Sequence, residues 1–131
     1  MARSFTVEAG GVEFKGSTAP AKAQIEMLHI AGRTGLIVSL QEKASDMALV
    51  VALTQIHPDD FTALRKLCFV SGKEDLVVRA ADNVPVGENL FQDAPQDFYL
   101  LVGRALVENL SPFWQLRKAT VEGSAEQTAS H

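Results

Sequence analysis

The stretch from Phe98 to Trp114 constrains this chain most. Phe98, Leu101, Val102, Ala105 and Leu106 recur at helical spacing, with Asp97, Arg104 and Glu108 on the opposite side. Asp93, the early Pro95 and Gln96 at capping-box distance mark where such a helix starts. The stripe then runs into Asn109-Leu110-Ser111-Pro112-Phe113-Trp114, which carries the only Trp of the sequence. Pro112 predicts an interruption there, with one further turn over residues 113–118. Withdrawing a Phe-sized side chain from water is worth about 1.5–3 kcal/mol. Phe113 and Trp114 therefore either close the core or anchor a contact with another chain.

A helix with such a stripe needs apolar partners, and the sequence before it supplies them. Phe5 and Val7 alternate with Thr6, and Val12 and Phe14 with Glu13, around Ala9-Gly10-Gly11. That pattern predicts a β-hairpin over residues 4–15 with one buried face. A two-stranded ribbon is only marginally stable alone, so it must lie on helices. Ser17-Thr18-Ala19-Pro20 predicts a hydroxyl-capped helix to about Ile30, with Ala21, Ile25 and Leu28 as its core face and Gly32 and Gly35 ending it. Leu36 to Leu40 is a short apolar run that favours helix. Ser45 caps a helix over residues 46–55, with Leu49, Leu53 and Ile56 inward. His57-Pro58-Asp59-Asp60 starts another, carrying Phe61, Leu64 and Cys68. Leu76 to Arg79 has strand character, while Pro85 confines Val84 to Gly87 to an edge or a loop. The expected fold is a mostly helical α+β domain: an N-terminal hairpin packed on about four helices, with a short β-like excursion before the last. The expected boundaries are one globular domain over residues 1–118 and a flexible tail over 119–131.

Composition narrows the function. The 131 residues carry a formal net charge of −4, with no basic stripe of the kind that nucleic acid requires. The N-terminus lacks the apolar region of a signal peptide, and no apolar run nears the roughly 20 residues of a membrane helix. A lone Cys68 in the apolar setting Leu67-Cys68-Phe69-Val70 reads as a buried structural thiol in a reducing cytoplasm. His29, His57 and His131 are dispersed, which gives a zinc site no support. His29 reads as a core or boundary residue and His57 as a cap. The acidic residues Asp82, Glu88, Asp93 and Asp97 lack the spacing of a calcium loop and read as a solvated rim. Gly10-Gly11 is not a phosphate loop, and no Gly-x-Ser-x-Gly elbow occurs. No cofactor and no catalytic centre are expected.

Taken in order, these elements resemble the tail assembly chaperones of long-tailed bacteriophages and prophages. The likeness rests on Phe5-Thr6-Val7 with Val12-Glu13-Phe14-Lys15, on Ala21-Lys22-Ala23-Gln24 with Arg33, and on the Ala- and Leu-rich Met47 to Thr54. It continues through Asp59-Asp60 with Cys68, Asn89-Leu90-Phe91, and Val107-Glu108-Asn109-Leu110-Ser111-Pro112-Phe113-Trp114. In that family the ending carries Asn-Leu followed by paired aromatics, commonly Phe-Phe, from which Trp114 departs. The resemblance implies a non-enzymatic protein of the host cytoplasm. It implies binding to the long, helical, aggregation-prone tape measure protein, which is kept soluble while tail tube protein polymerises around it. In some relatives a frameshifted longer product recruits the tube protein. Self-association through the hairpin edge or the aromatic end would fit such a role. The residues expected to meet the partner are Phe91, Tyr99, Leu110, Phe113 and Trp114. Two other readings stand beside this one: a structural protein of the tail, such as a connector or baseplate component, and a small enzyme using His57, Asp60 and Arg65.

Overall fold

A computed structural model describes residues 2–129, with side chains described for all of these except 88 and 117–129. Strands β1 (Ser4–Ala9) and β2 (Val12–Ser17) form the hairpin, pairing Ser4 with Ser17 through to Ala9 with Val12. That register leaves Gly10 and Gly11 as a two-residue turn, and both have positive φ (60° and 77°), as the twist of a tight hairpin demands. Phe5, Val7, Ala9 and Phe14 form its buried face. Helix α1 (Ala21–Thr34) leads through a 3-10 turn (Leu36–Ser39) to α2 (Asp46–Thr54) and α3 (Pro58–Phe69). A small hairpin of β3 (Val70–Ser71) and β4 (Glu74–Asp75) follows, then β5 (Val77–Arg79). β5 joins β2 to complete a three-stranded antiparallel sheet in the order β1-β2-β5. Pro85 makes an isolated bridge to Val78, the edge position its missing N–H allows. A second 3-10 turn (Glu88–Phe91) precedes α4 (Pro95–Ala129). The mostly helical α+β fold expected from the sequence, a hairpin packed on four helices, is the one observed.

α4 is the centre of the molecule. Phe98, Leu100, Leu101, Val102, Ala105, Leu106, Val107 and Leu110 are all buried, so this segment is apolar around most of its circumference, with the line of Asp97, Arg104 and Glu108 left polar. Such a helix must be surrounded, and α1, α2, α3 and β1 all pack on it. α2 packs closely at Gly103, where an added Cβ would lie 3.3 Å from both Leu49 Cβ and Leu53 Cδ1 of α2. On another side an aromatic cluster joins sheet, turn and helices. Phe14 stacks on Phe91 at 5.7 Å, Phe91 meets Phe98 at 5.5 Å, and Phe61 stacks on Tyr99 at 4.3 Å.

Several local expectations are corrected. α1 has no hydroxyl cap, because Ser17 ends β2 and the Thr18 hydroxyl accepts the Arg3 N–H instead. The helix also passes Gly32 and ends at Gly35, whose φ of 81° closes its last turn. Its buried residues are Met27 and Ala31; Ile25, expected inside, is exposed, and so is His29. Asp93 adopts a φ of 73° and lies before the first turn of α4 instead of capping it. The caps on α2 and α3 are as expected: Ser45 Oγ accepts from Ala48 N at 3.1 Å, and His57 Nδ1 accepts from Asp59 N at 3.1 Å. α4 does not break at Pro112 but continues through it. The tail expected at 119–131 lies outside the residues whose side chains are described.

The contact at Gly103 predicts that Gly103→Val destabilises by about 1–3 kcal/mol through overpacking, although helix propensity alone favours Val by roughly half a kcal/mol. A lower urea midpoint is the expected result; an unchanged or raised midpoint would show that α2 can move away freely.

Candidate partner-binding groove

The groove begins with a backbone problem. Pro112 has no N–H to give the carbonyl of Glu108 one turn earlier, so that oxygen loses its helical donor. Arg3 supplies a replacement: its guanidinium donates to Glu108 O at 2.7 Å, and Ser111 Oγ donates to the same oxygen at 3.3 Å. Arg3 is itself fixed by its main chain, its N–H donating to Thr18 Oγ1 and its carbonyl accepting from Thr18 N, each at 2.8 Å. Beside this lies Asn109, 1% exposed. Its Oδ1 accepts from Ala19 N at 2.7 Å and its Nδ2 donates to Ala105 O at 2.8 Å. A buried amide must find partners or bear the cost of desolvation, and here both of its ends do. The result fixes the start of α1 against α4 just before Pro112.

Between the two helices so fixed runs an apolar groove of about 360 Å³. α1 contributes Ala21, Gln24, Ile25 and Leu28; α4 contributes Asn109, Leu110, Pro112, Phe113 and Leu116. Among the described residues, no ionisable side chain lines it. Ile25 is 56%, Phe113 36% and Leu116 67% exposed, while Leu110 is buried at its floor. The stripe Ala21–Ile25–Leu28, which sequence periodicity assigned to the core, is thus one wall of an open channel. Exposed apolar surface of this kind, bordered by polar groups, marks interaction sites.

The five residues expected to meet a partner fall in three places. Leu110 and Phe113 lie in the groove. Trp114 packs edge-to-face against Phe113 at 5.4 Å but turns to the other side of α4, where it borders a hollow with Gln41, Glu42 and Lys43. It is half-buried. Phe91 and Tyr99 sit in the aromatic cluster, Phe91 buried and Tyr99 partly so. Sequence reasoning missed Ile25, Leu28 and Leu116 as groove residues and Arg3 as a support. The available signal for Arg3 was Pro112 itself, whose orphaned carbonyl requires some donor.

The groups proposed for chemistry have structural tasks. Asp60 accepts from Arg33 at 2.8 Å, and His57 caps α3. Asp82 of the acidic stretch pairs with Arg79 at 2.7 Å, and the guanidinium holds its carboxyl below the usual range. Cys68 is fully buried with Sγ 3.9 Å from Met27 Sδ, and desolvation pushes its thiol well up, so the thiolate is scarce. Among the described residues, no group of three or more His, Cys, Asp or Glu side chains is placed to hold a metal ion. Nor is any described helix long and apolar enough to cross a membrane.

The fold is thus a small α+β domain with an apolar channel between two of its helices. The chain belongs to the phage tail assembly chaperone family: that family, described as phage tail assembly chaperone protein, TAC, matches residues 10–121. No curated protein and no solved structure matches the chain.

Two outcomes are expected. Asn109→Ala leaves the Ala19 N–H without its acceptor and should cost about 1–3 kcal/mol, read as a lower melting temperature; an unchanged value would show that α1 and α4 are held otherwise. Cys68 should resist a thiol reagent such as dithionitrobenzoate until the protein unfolds, and rapid reaction in the native state would contradict its burial.

Proposed function

We propose that the protein is a non-enzymatic chaperone of the host cytoplasm that holds helical segments of the tape measure protein in the α1–α4 groove, and so assists assembly of the tail tube. The carrying observation is the open groove with Ile25 and Leu28 on one wall and Phe113 and Leu116 on the other, with no ionisable side chain among the described residues that line it. A tape measure helix would present apolar side chains along one face, and a groove between two helices suits the helix-in-groove mode of recognition. Trp114, beside Phe113 but on the far side of α4, extends the contact toward residues 41–43. Phe91 and Tyr99 act from beneath, by fixing α4 against α3 and the sheet. Each site is small, so useful affinity comes from many copies acting along one long rod.

Co-expression with the cognate tape measure protein tests this reading. Wild type should raise the soluble fraction of that partner, and Ile25→Asp or Phe113→Asp should abolish the gain, because a carboxylate placed in an apolar contact is costly to desolvate. Ile25 is the more exposed, so Ile25→Asp should change stability by no more than about 0.5 kcal/mol, while Phe113→Asp also loses its ring contact with Trp114 and should cost about 1 kcal/mol more. Trp114→Ala should weaken binding more than it lowers the melting temperature; unfolding of that variant would assign Trp114 to the core. Full activity of both Asp variants would remove the groove from the function. Mass spectrometry of mature particles separates a chaperone, which should be absent, from a connector or baseplate component, which should be present.

A further inference from the structure

The three-stranded sheet is closed along one edge and open along the other. β5 is bonded on its outer side, where Arg79 N–H donates to Val84 O at 2.9 Å and Pro85 bridges to Val78. β1 has no such cover. On β2, Glu13 O accepts from Ala80 N and Ser17 N–H donates to Leu76 O, each at 2.9 Å. The odd residues of β2 therefore turn to β5 and the even ones to β1. Their partners on β1 are Phe5, Val7 and Ala9, which leaves Ser4, Thr6 and Glu8 directing N–H and C=O away from the hairpin. All three are exposed, and among the described residues none of these main-chain groups has a hydrogen-bond partner. Edge strands are ordinarily blunted by proline, lysine or a bulge. β1 carries no proline or lysine, and its register with β2 is unbroken.

We propose that this edge of β1 takes an extended, basic segment of another polypeptide as an added strand of the sheet. Main-chain hydrogen bonds supply the pairing, as in other cases of strand addition, and charge selects the occupant. Beside the edge runs a cleft of about 360 Å³ whose other wall is Glu42, Arg104, Val107 and Glu108. Among the described residues, Glu8, Glu42 and Glu108 make no ion pair. Nor does Glu13, which faces Glu8 across the hairpin in a like-charge pair that an added cation would relieve. Arg104 is the cation in the cleft, and it is committed to Asp46 at 2.6 Å and to Ala44 O at 2.9 Å. Arg3 is bonded to Glu108 O and Lys43 borders the hollow beside Trp114; neither lines the cleft. Lys15 lies a strand further in, opposite Thr6. Lysine or arginine on the outer face of an added strand would meet Glu8 and Glu13, and on the inner face Glu42 and Glu108. A second copy of this chain fits badly, because pairing β1 with itself would gather the carboxylates of both clefts along one seam. The cleft shares no lining residue with the α1–α4 groove, so the proposal does not rest on what that groove binds.

The probe is an end-blocked peptide, Lys-Val-Lys-Val-Lys-Val, titrated into the full chain at low salt and followed by amide exchange in NMR spectra. In the free protein the amides of Phe5, Val7 and Ala9 should exchange slowly and those of Ser4, Thr6 and Glu8 fast; the peptide should slow the second set. Its counterpart Glu-Val-Glu-Val-Glu-Val should not bind. Methylating every peptide nitrogen of the basic probe keeps its charge but removes its donors, and should weaken binding about tenfold or more. Thr6→Pro removes one outward N–H without touching the hairpin's own bonds, and should also weaken binding. If that variant unfolds, the methylated probe on wild type makes the same test. Ile25→Asp, in the groove, should bind the basic probe as wild type does. Equal affinity for the methylated probe, no binding of the basic probe up to about 1 mM, or loss of binding in Ile25→Asp would overturn the proposal. So would protection of Ser4, Thr6 and Glu8 that grows with protein concentration alone, which would assign the edge to a second copy.

Discussion

A helix with buried side chains around most of its circumference must lie deep in a domain, and α4 between Phe98 and Leu110 is such a helix, with the line of Arg104 and Glu108 partly exposed. α1, α2, α3 and β1 are placed by what they cover there. α2 packs closely because Gly103 leaves room for Leu49 and Leu53; α3 brings Phe61 onto Tyr99; the sheet brings Phe14 through Phe91 to Phe98. The hairpin, which could not persist alone, is stabilised by the same burial.

The groove arises where this enclosure stops. Beyond Leu110 the helix is no longer surrounded, yet its side chains stay apolar through Pro112, Phe113, Trp114 and Leu116. Two polar contacts keep that emerging segment aligned with α1. Asn109 bonds across to Ala19, and Arg3 takes the carbonyl that Pro112 leaves without a donor. Proline therefore does not end the helix here, because a residue more than a hundred positions earlier satisfies the group it orphans. The walls are set by buried and bidirectional hydrogen bonding, whereas the lining has been left to solvent.

Much of the fold was legible because local rules and burial agree. The hairpin register follows from Gly10-Gly11, α2 and α3 start at Ser45 and His57 as their caps require, and the stripe on α4 is buried throughout. The misreadings occur where tertiary contacts override a local signal. Thr18 resembles a cap yet serves Arg3, and Pro112 resembles a stop yet has a remote donor. Ile25 is the most instructive case. Periodicity can identify an apolar stripe but not whether the chain itself covers it, so Ala21–Ile25–Leu28 was assigned to the core. Of the aromatic residues singled out, Phe113 is in the groove, Trp114 beside it and Phe91 inside the cluster. Composition alone cannot make that distinction.

Family membership fixes the setting as phage tail assembly, and the physical claim added to it is that one inter-helical channel receives the partner. Amide hydrogen exchange on the chaperone, alone and saturated with tape measure polypeptide, tests that claim most directly. New protection should concentrate in residues 21–28 and 109–116. Protection confined to the hairpin or to α3, with those two segments exchanging as in the free protein, would contradict it.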